Sequence, residues 1–408
     1  MYVGNICYQS PRTPIIMKKP ISLIVTGFLF LLLLVHCDSD SVINTSDNRD
    51  DKGDPPVTDT TRSDSTDTGN EPGSSADAEW LIPRSDIVDG GPGKDGIPSI
   101  DDPNFTLATN IGHLDPSDLV IGIKIGDEVR AYPHKILDYH EIVNDQLLNT
   151  PVCVTYCPLT GTAIAWNRVI NGEVTEFGVS GLLYKNNLIP YDRQTDSEWS
   201  QMLNLSVHGE NKGFNVETFN IVEAKWSTWL NSYPSSKVLS LQTGYSRDYN
   251  RYPYGDYKTD DDFLLFPVGN KDDRLPNKER VHGIEIDSSY VAYPIKEFGS
   301  ELTVSNTEIE GKKIVIFGSN RDNIVESYYR TIDGNTLTFS AVRGEYPVVL
   351  KDESGSEWNI FGEAVSGPKK GQQLRSTQSY NGYWFAFADF FPGLPILRPQ
   401  PVTSIPEY

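Results

Sequence analysis

Two stretches of this chain repeat each other. Residues 120–133 read VIGIKIGDEVRAYP and residues 281–294 read VHGIEIDSSYVAYP, and seven of the fourteen positions are identical without a gap. Average residue usage gives about one match. The likeness continues downstream. Val152–Cys157 lies over 313–318, placing Cys157 over Gly318. Asn171-Gly172 lies over Asp333-Gly334, Phe177 over Phe339, Ser197-Glu198-Trp199 over Ser356-Glu357-Trp358, and Trp226 over Trp384. A chain repeating over about 115 residues is constrained to a fold built twice. We place copy one at 118–234 and a degenerate copy two at 280–393.

Each copy reads as β-rich. Val120–Ile125 alternates apolar with small or polar residues, and Val152–Tyr156 is a β-branched and aromatic run. Asn-Gly and Asp-Gly between apolar segments are strong hairpin signals. Pro133 to Asn144 reads as a short helix, as does Trp226–Leu230. The expected class is α+β, mainly β, with two tandem homologous domains. Residues 79–117 form an N-terminal extension packing on the body, 235–279 a Tyr/Arg-rich connection, and 394–408 a tail.

The N-terminus carries an export pattern. Met17-Lys18-Lys19-Pro20 precedes the apolar run Ile21 to Val35, which has the n-region and h-region of a secretory signal and is short for a bilayer span of about 20 residues. Met17 is the expected start. The run ends Leu34-Val35-His36-Cys37, which looks like a bacterial lipobox, with His36 where a small residue is usual. Residues 1–37 are therefore expected to be a signal, with Cys37 lipidated as the mature N-terminus. Residues 38–78 hold eleven Asp/Glu against three Lys/Arg and almost no large apolar side chain. Such a segment cannot bury enough surface to offset its ordering entropy and reads as a disordered acidic tether. The expected location is extracytoplasmic, lipid-anchored to a bacterial membrane at the periplasm or cell surface. The formal charge of −21 excludes general nucleic-acid binding, which needs a basic face.

Duplication supplies an internal comparison. Positions kept in both copies read as framework; positions chemically special in one copy read as site candidates. Cys157 over Gly318 and His140 over Glu301 make copy one the expected seat of chemistry. Cys157 ends a strand ahead of Pro158. At helical spacing His140 and Asn144 share a face beside Glu141 and Asp145, so His140 is a candidate to deprotonate Cys157 with Asp145 or Asn144 orienting the ring. Cys153 and Cys157 lie about 13 Å apart along a strand, too far to pair. Two polar-aromatic segments are candidate ligand surfaces: Tyr184, Tyr191, Asp192, Arg193 and Trp199 in copy one, and Arg247 and Tyr249 in the connection. No metal cluster or cofactor motif can be named.

Several segments resemble one family. They are GGPGKDGIPSIDDP (90–103), RAYPHKIL (130–137), HEIVND (140–145), PVCVTYCPLTGTAIAWNR (151–168), FGVSGLLYKNNLIPYDRQTDSEWSQ (177–201), TGYSRDYNRYPY (243–254) and DDRLP (272–276). In this order they are similar to the DUF3179 family. The resemblance implies an exported or membrane-attached bacterial protein and no particular reaction. The family pattern often reads Cys-Pro-Leu-Cys-Gly; here Thr160 replaces the second thiol, which removes a CxxC switch. The expected function is a membrane-anchored extracytoplasmic lipoprotein with a thiol-centred active or ligand site at Cys157 and His140. The alternative is a non-catalytic module binding a glycan, peptide or partner protein through the Tyr/Arg segments.

Overall fold

The computed structural model describes residues 80–400, all within one compact unit. Met17, Cys37 and the 38–78 tether lie outside them. The described chain is mainly β, with three seven-residue α-helices: α1 (His134–His140), α2 (Trp226–Ser232) and α3 (Trp384–Phe390).

The two repeated segments build matching sheets. In the first, Leu119–Ile125 pairs antiparallel with Glu128–Pro133, Gly122 facing Ala131; in the second, Arg280–Ile286 pairs with Ser289–Pro294, Gly283 facing Ala292. A late strand closes each sheet on the other side, Ile221–Lys225 in one and Gln378–Tyr383 in the other, and each leads directly into a helix. The glycines are required by close approach. A Cβ on Gly122 would lie 1.9 Å from the Trp229 ring of α2, and one on Gly283 would lie 2.0 Å from the Phe387 ring of α3. Second sheets follow in the same order: Ile142–Leu147, Thr150–Cys157 and Thr162–Asn167, against Thr303–Ile309, Lys312–Ser319 and Ile324–Tyr329. Asn171-Gly172 and Asp333-Gly334 take positive φ in tight hairpins, as their sequences require.

Register corrects one sequence alignment. Asn144 faces Cys153 and clamps Phe177 through its backbone N–H and C=O; Asn306 faces Val315 and clamps Phe339 identically. Counting from these clamps, Cys157 corresponds to Ser319, and Gly318 to Tyr156. One extra residue lies between Pro294 and Val304, which the gapless comparison did not see.

The expected helix over Pro133–Asn144 is also corrected. It ends at His140, Glu141 takes φ +58°, and Ile142–Leu147 is a strand. β-branched Ile142 and Val143 favour the pleated surface. Asn144 and Asp145 therefore point to opposite faces instead of continuing a helical one.

The segments do not form separate cores. Val120, Trp226 and Trp229 of the first pack with Phe317, Tyr328 and Trp358 of the second. Reciprocally, Val281, Trp384 and Phe387 of the second pack with Cys157, Trp166 and Trp199 of the first. The alternate residues Ile121 and Ile123, or Ile284 and Ile286, pack within their own segment. Each hairpin sheet thus buries one face at home and the other in its neighbour.

Candidate functional site

Cys157 is the last residue of its strand, 1% exposed, and its Sγ donates to the Asn186 carbonyl at 3.5 Å. Burial pushes the thiol up to about 11, and the nearby Glu141 charge adds to this. Cys153 is buried on the same face, shifted further upward by burial, and both thiols are free.

The expected partners of Cys157 are engaged elsewhere. His140 is fully buried, with Nδ1 2.8 Å from the Pro98 carbonyl and Nε2 2.7 Å from the Tyr249 hydroxyl. Neither ring nitrogen is left for a thiol. Asp145 accepts from Arg130 and from the Tyr132 hydroxyl. The predicted Cys157–His140–Asp145 grouping is not assembled, because the helix that would have aligned it stops at His140.

The acid beside Cys157 is Glu141, which the sequence reading left unassigned. Its carboxyl is buried and pushed up to about 8, first by desolvation and then by the Asp138 charge, against a weak hydrogen bond from Tyr254 at 3.4 Å. Asp138 is paired with Lys258, which sits 4.2 Å over the Tyr252 ring. The Tyr257 hydroxyl donates to the Leu159 carbonyl at 2.9 Å, and Tyr383 packs against Gly161. The connection between the two segments thus roofs the thiol with tyrosines.

The second set of predicted residues divides. Asp192 accepts from the Thr195 backbone N–H at 2.7 Å and from Trp199 Nε1 at 3.0 Å; Asp352 accepts from the Ser354 N–H at 2.8 Å and from Trp358 Nε1 at 3.1 Å. Asp192 and Trp199 are therefore a strut present in both segments. The Tyr191 hydroxyl donates to Asp95 at 2.6 Å, and Arg193 reaches Ser99 and Asp101 at 2.9 and 3.3 Å. These two side chains tie down the N-terminal extension. Tyr184 packs edge-on against Phe390 of α3.

The connection presents a different surface. Tyr249 is buried, bonded to Thr243 and His140, and the Tyr139 hydroxyl donates to the carbonyls of Asp248 and Arg251. This frame holds Tyr245 43% exposed against His140. Arg247 and Arg251 are exposed and pair with no carboxylate among the described residues.

Sequence reasoning missed a buried polar group at the seam between the segments. Glu223 Oε1 accepts from Arg280 at 2.6 Å and from Asn323 at 2.9 Å, and Oε2 lies 3.2 Å from His134 Nε2. Despite desolvation, Arg280 and then His134 hold this carboxyl far below the usual range. In the second segment His282 bonds Asn381 through Nδ1 and Ser327 through Nε2, both at 2.9 Å. Burial pushes this imidazole down to about 4. Glu326 lies beside them, buried and shifted strongly upward by desolvation and the Glu223 charge. With the corrected register, His282, Glu326, Ser327 and Asn381 stand where the first segment has Ile121, Ile164, Ala165 and Glu223. A comparison allowing one inserted residue exposes that contrast at Glu326 and Ser327.

Among the described residues, no three His, Cys, Asp or Glu side chains are grouped to hold a metal ion, and no helix is long and apolar enough to cross a membrane. The family model described as "Protein of unknown function (DUF3179)" matches residues 94–394. No curated protein and no solved structure matches the chain.

Proposed function

The chain belongs to the DUF3179 family, and from that premise we propose that it is an extracytoplasmic binding module for an acidic glycan, held to a bacterial membrane by lipid at Cys37. The observation that carries this reading is the pair Arg247 and Arg251, exposed beside exposed Tyr245 on a loop that His140 and Tyr139 buttress. On a chain this acidic, guanidinium groups without a carboxylate partner are open to an anionic ligand, and an adjacent aromatic face suits a sugar ring. The thiol argues against catalysis at rest. It is walled in and carries its proton at neutral pH, whereas a nucleophilic cysteine needs an accessible thiolate.

Binding of the purified full chain to heparin, used as a polyanionic glycan probe, tests the reading. Arg247→Ala with Arg251→Ala should weaken binding at least tenfold, while Cys157→Ser leaves it unchanged. A wild-type chain that ignores the probe, or a double variant that binds equally well, overturns the proposal. For the anchor, a triacylated peptide beginning at Cys37 and release from the membrane fraction by Cys37→Ala are expected.

The same reading takes 118–234 and 280–393 as products of one duplication. The common strand order, the paired Asn clamps and the paired Asp–Trp struts support it. A second reading, a thiol-centred site, retains one observation: Glu141, in a left-handed conformation and buried beside Cys157, a kind of strain that concentrates at working sites. Its partner for the thiol is Glu141, not His140.

A further inference from the structure

The strand Ile324–Tyr329 places Ile324, Glu326 and Tyr328 on one face, turned toward the first segment. The two outer residues complete an apolar core. Glu326, between them, lines a cavity of about 10 Å³ at the seam, together with Glu223, His282, Ser379 and Asn381. A space of this size holds one water and no organic ligand. The Glu326 carboxyl is 4% exposed and makes no hydrogen bond to any described side chain. Across the cavity, the Glu223 carboxyl is also buried, but it is paired, Oε1 with Arg280 and Oε2 3.2 Å from His134 Nε2. Two buried carboxyl groups therefore line one small cavity, Glu223 held by Arg280 and His134 and Glu326 without a hydrogen bond to any described side chain.

We propose that Glu326 is a proton-binding site that controls the seam between the two segments. With a proton, its carboxyl is neutral and can donate into the cavity toward Glu223. When the proton leaves to solvent, a second buried carboxylate faces the first and nothing neutralises it. Every neighbouring element contributes to this condition. From Ile221–Lys225 comes the Glu223 carboxylate. From Arg280–Ile286 come Arg280, already committed to Glu223, and His282, whose two ring nitrogens are taken by Asn381 and Ser327. From Gln378–Tyr383 come Asn381 and Tyr380, and α1 supplies His134, directed at Glu223. On the same strand, Tyr328 is tied to the Ile360 carbonyl. No free cation faces Glu326 among the described residues. A buried carboxyl without a counter-charge stays protonated well above its ordinary range, which is the direction its surroundings impose here.

The sign of the linkage is fixed. A carboxyl raised in the fold contributes its full stability below the unfolded value of 4.5 and loses it as pH rises through the folded value. Urea unfolding of the full chain between pH 5 and pH 9, wild type against Glu326→Gln, tests the site. The ratio of the two unfolding constants should grow with pH, by up to tenfold per unit. Glu326→Ile, which installs the residue of the matching position 164, should behave like Glu326→Gln. A ratio that stays constant across the range overturns the proposal. Should neither variant fold, hydrogen exchange of the wild type decides. Protection of 221–225 and 324–329, corrected for intrinsic base catalysis, should fall as pH rises while that of Leu119–Ile125 holds. Unchanged relative protection overturns the proposal.

Discussion

The Asp192–Trp199 strut of the first segment and the Asp352–Trp358 strut of the second are almost superimposable in their bonds, yet the buried groups around them differ. The first segment encloses a thiol with Glu141; the second encloses His282, Glu326, Ser327 and Asn381. Both segments thus share the residues that hold strands in register, and they differ in buried polar groups, of which Glu326 meets Glu223 of the other segment. Where two segments share a core, positions at the shared surface need satisfy only the joint structure. Buried polar groups can differ as long as each finds a partner, as His282 does in Asn381 and Ser327 of its own segment.

The largest test of this comparison is separation. Expressed alone, 118–234 should not unfold cooperatively in urea, because Val120, Trp226 and Trp229 would lose the Phe317–Trp358 surface that covers them. A sharp transition and native near-ultraviolet circular dichroism from either isolated segment would refute the shared-core account. Next come the struts. Trp199→Ala and Trp358→Ala should each cost about 3–5 kcal/mol, measured on the full chain by urea unfolding. Costs differing by more than about 2 kcal/mol would show that the copies are not equivalent frameworks.

Glu141 gives a pH-dependent effect. Its folded value of about 8 lies above the ordinary 4.5, so its stabilising contribution is whole below the lower figure and disappears as pH climbs to the higher one. Glu141→Gln should therefore gain on the wild type across that window and level off above it; a gain already complete at pH 5 would contradict the burial argument. Cys157→Ser, which copies Ser319, should cost only about 1 kcal/mol. Alkylation of Cys157 in the folded chain should be far slower than that of a free thiol at pH 8, and rapid labelling would reopen the nucleophile reading.

Much of the architecture was legible in the sequence because it is local. The hairpins announced themselves through Asn171-Gly172 and Asp333-Gly334, and the strands through β-branched runs. The one-residue slip that set Cys157 over Gly318 shows the limit. Because a strand alternates faces at every residue, a single unseen insertion exchanges inward for outward positions. Such a slip sets Glu326 against Ala165 instead of Ile164. His140 was misassigned for a related reason: a helical reading of 140–145 ignored that Ile142-Val143 begins a strand.

By itself the sequence determined the strand-rich class and the membership of a family, because these reside in spacings of a few residues and in motif order. The tertiary structure alone decided which groups meet. His140 finds Tyr249, Tyr380 reaches Met202, and Glu223 takes Arg280, partners too distant in the chain for any local pattern to encode. The exchange of core surfaces between the segments belongs to the same class. It follows from burying both faces of each hairpin sheet, and that requirement appears only once the sheets exist.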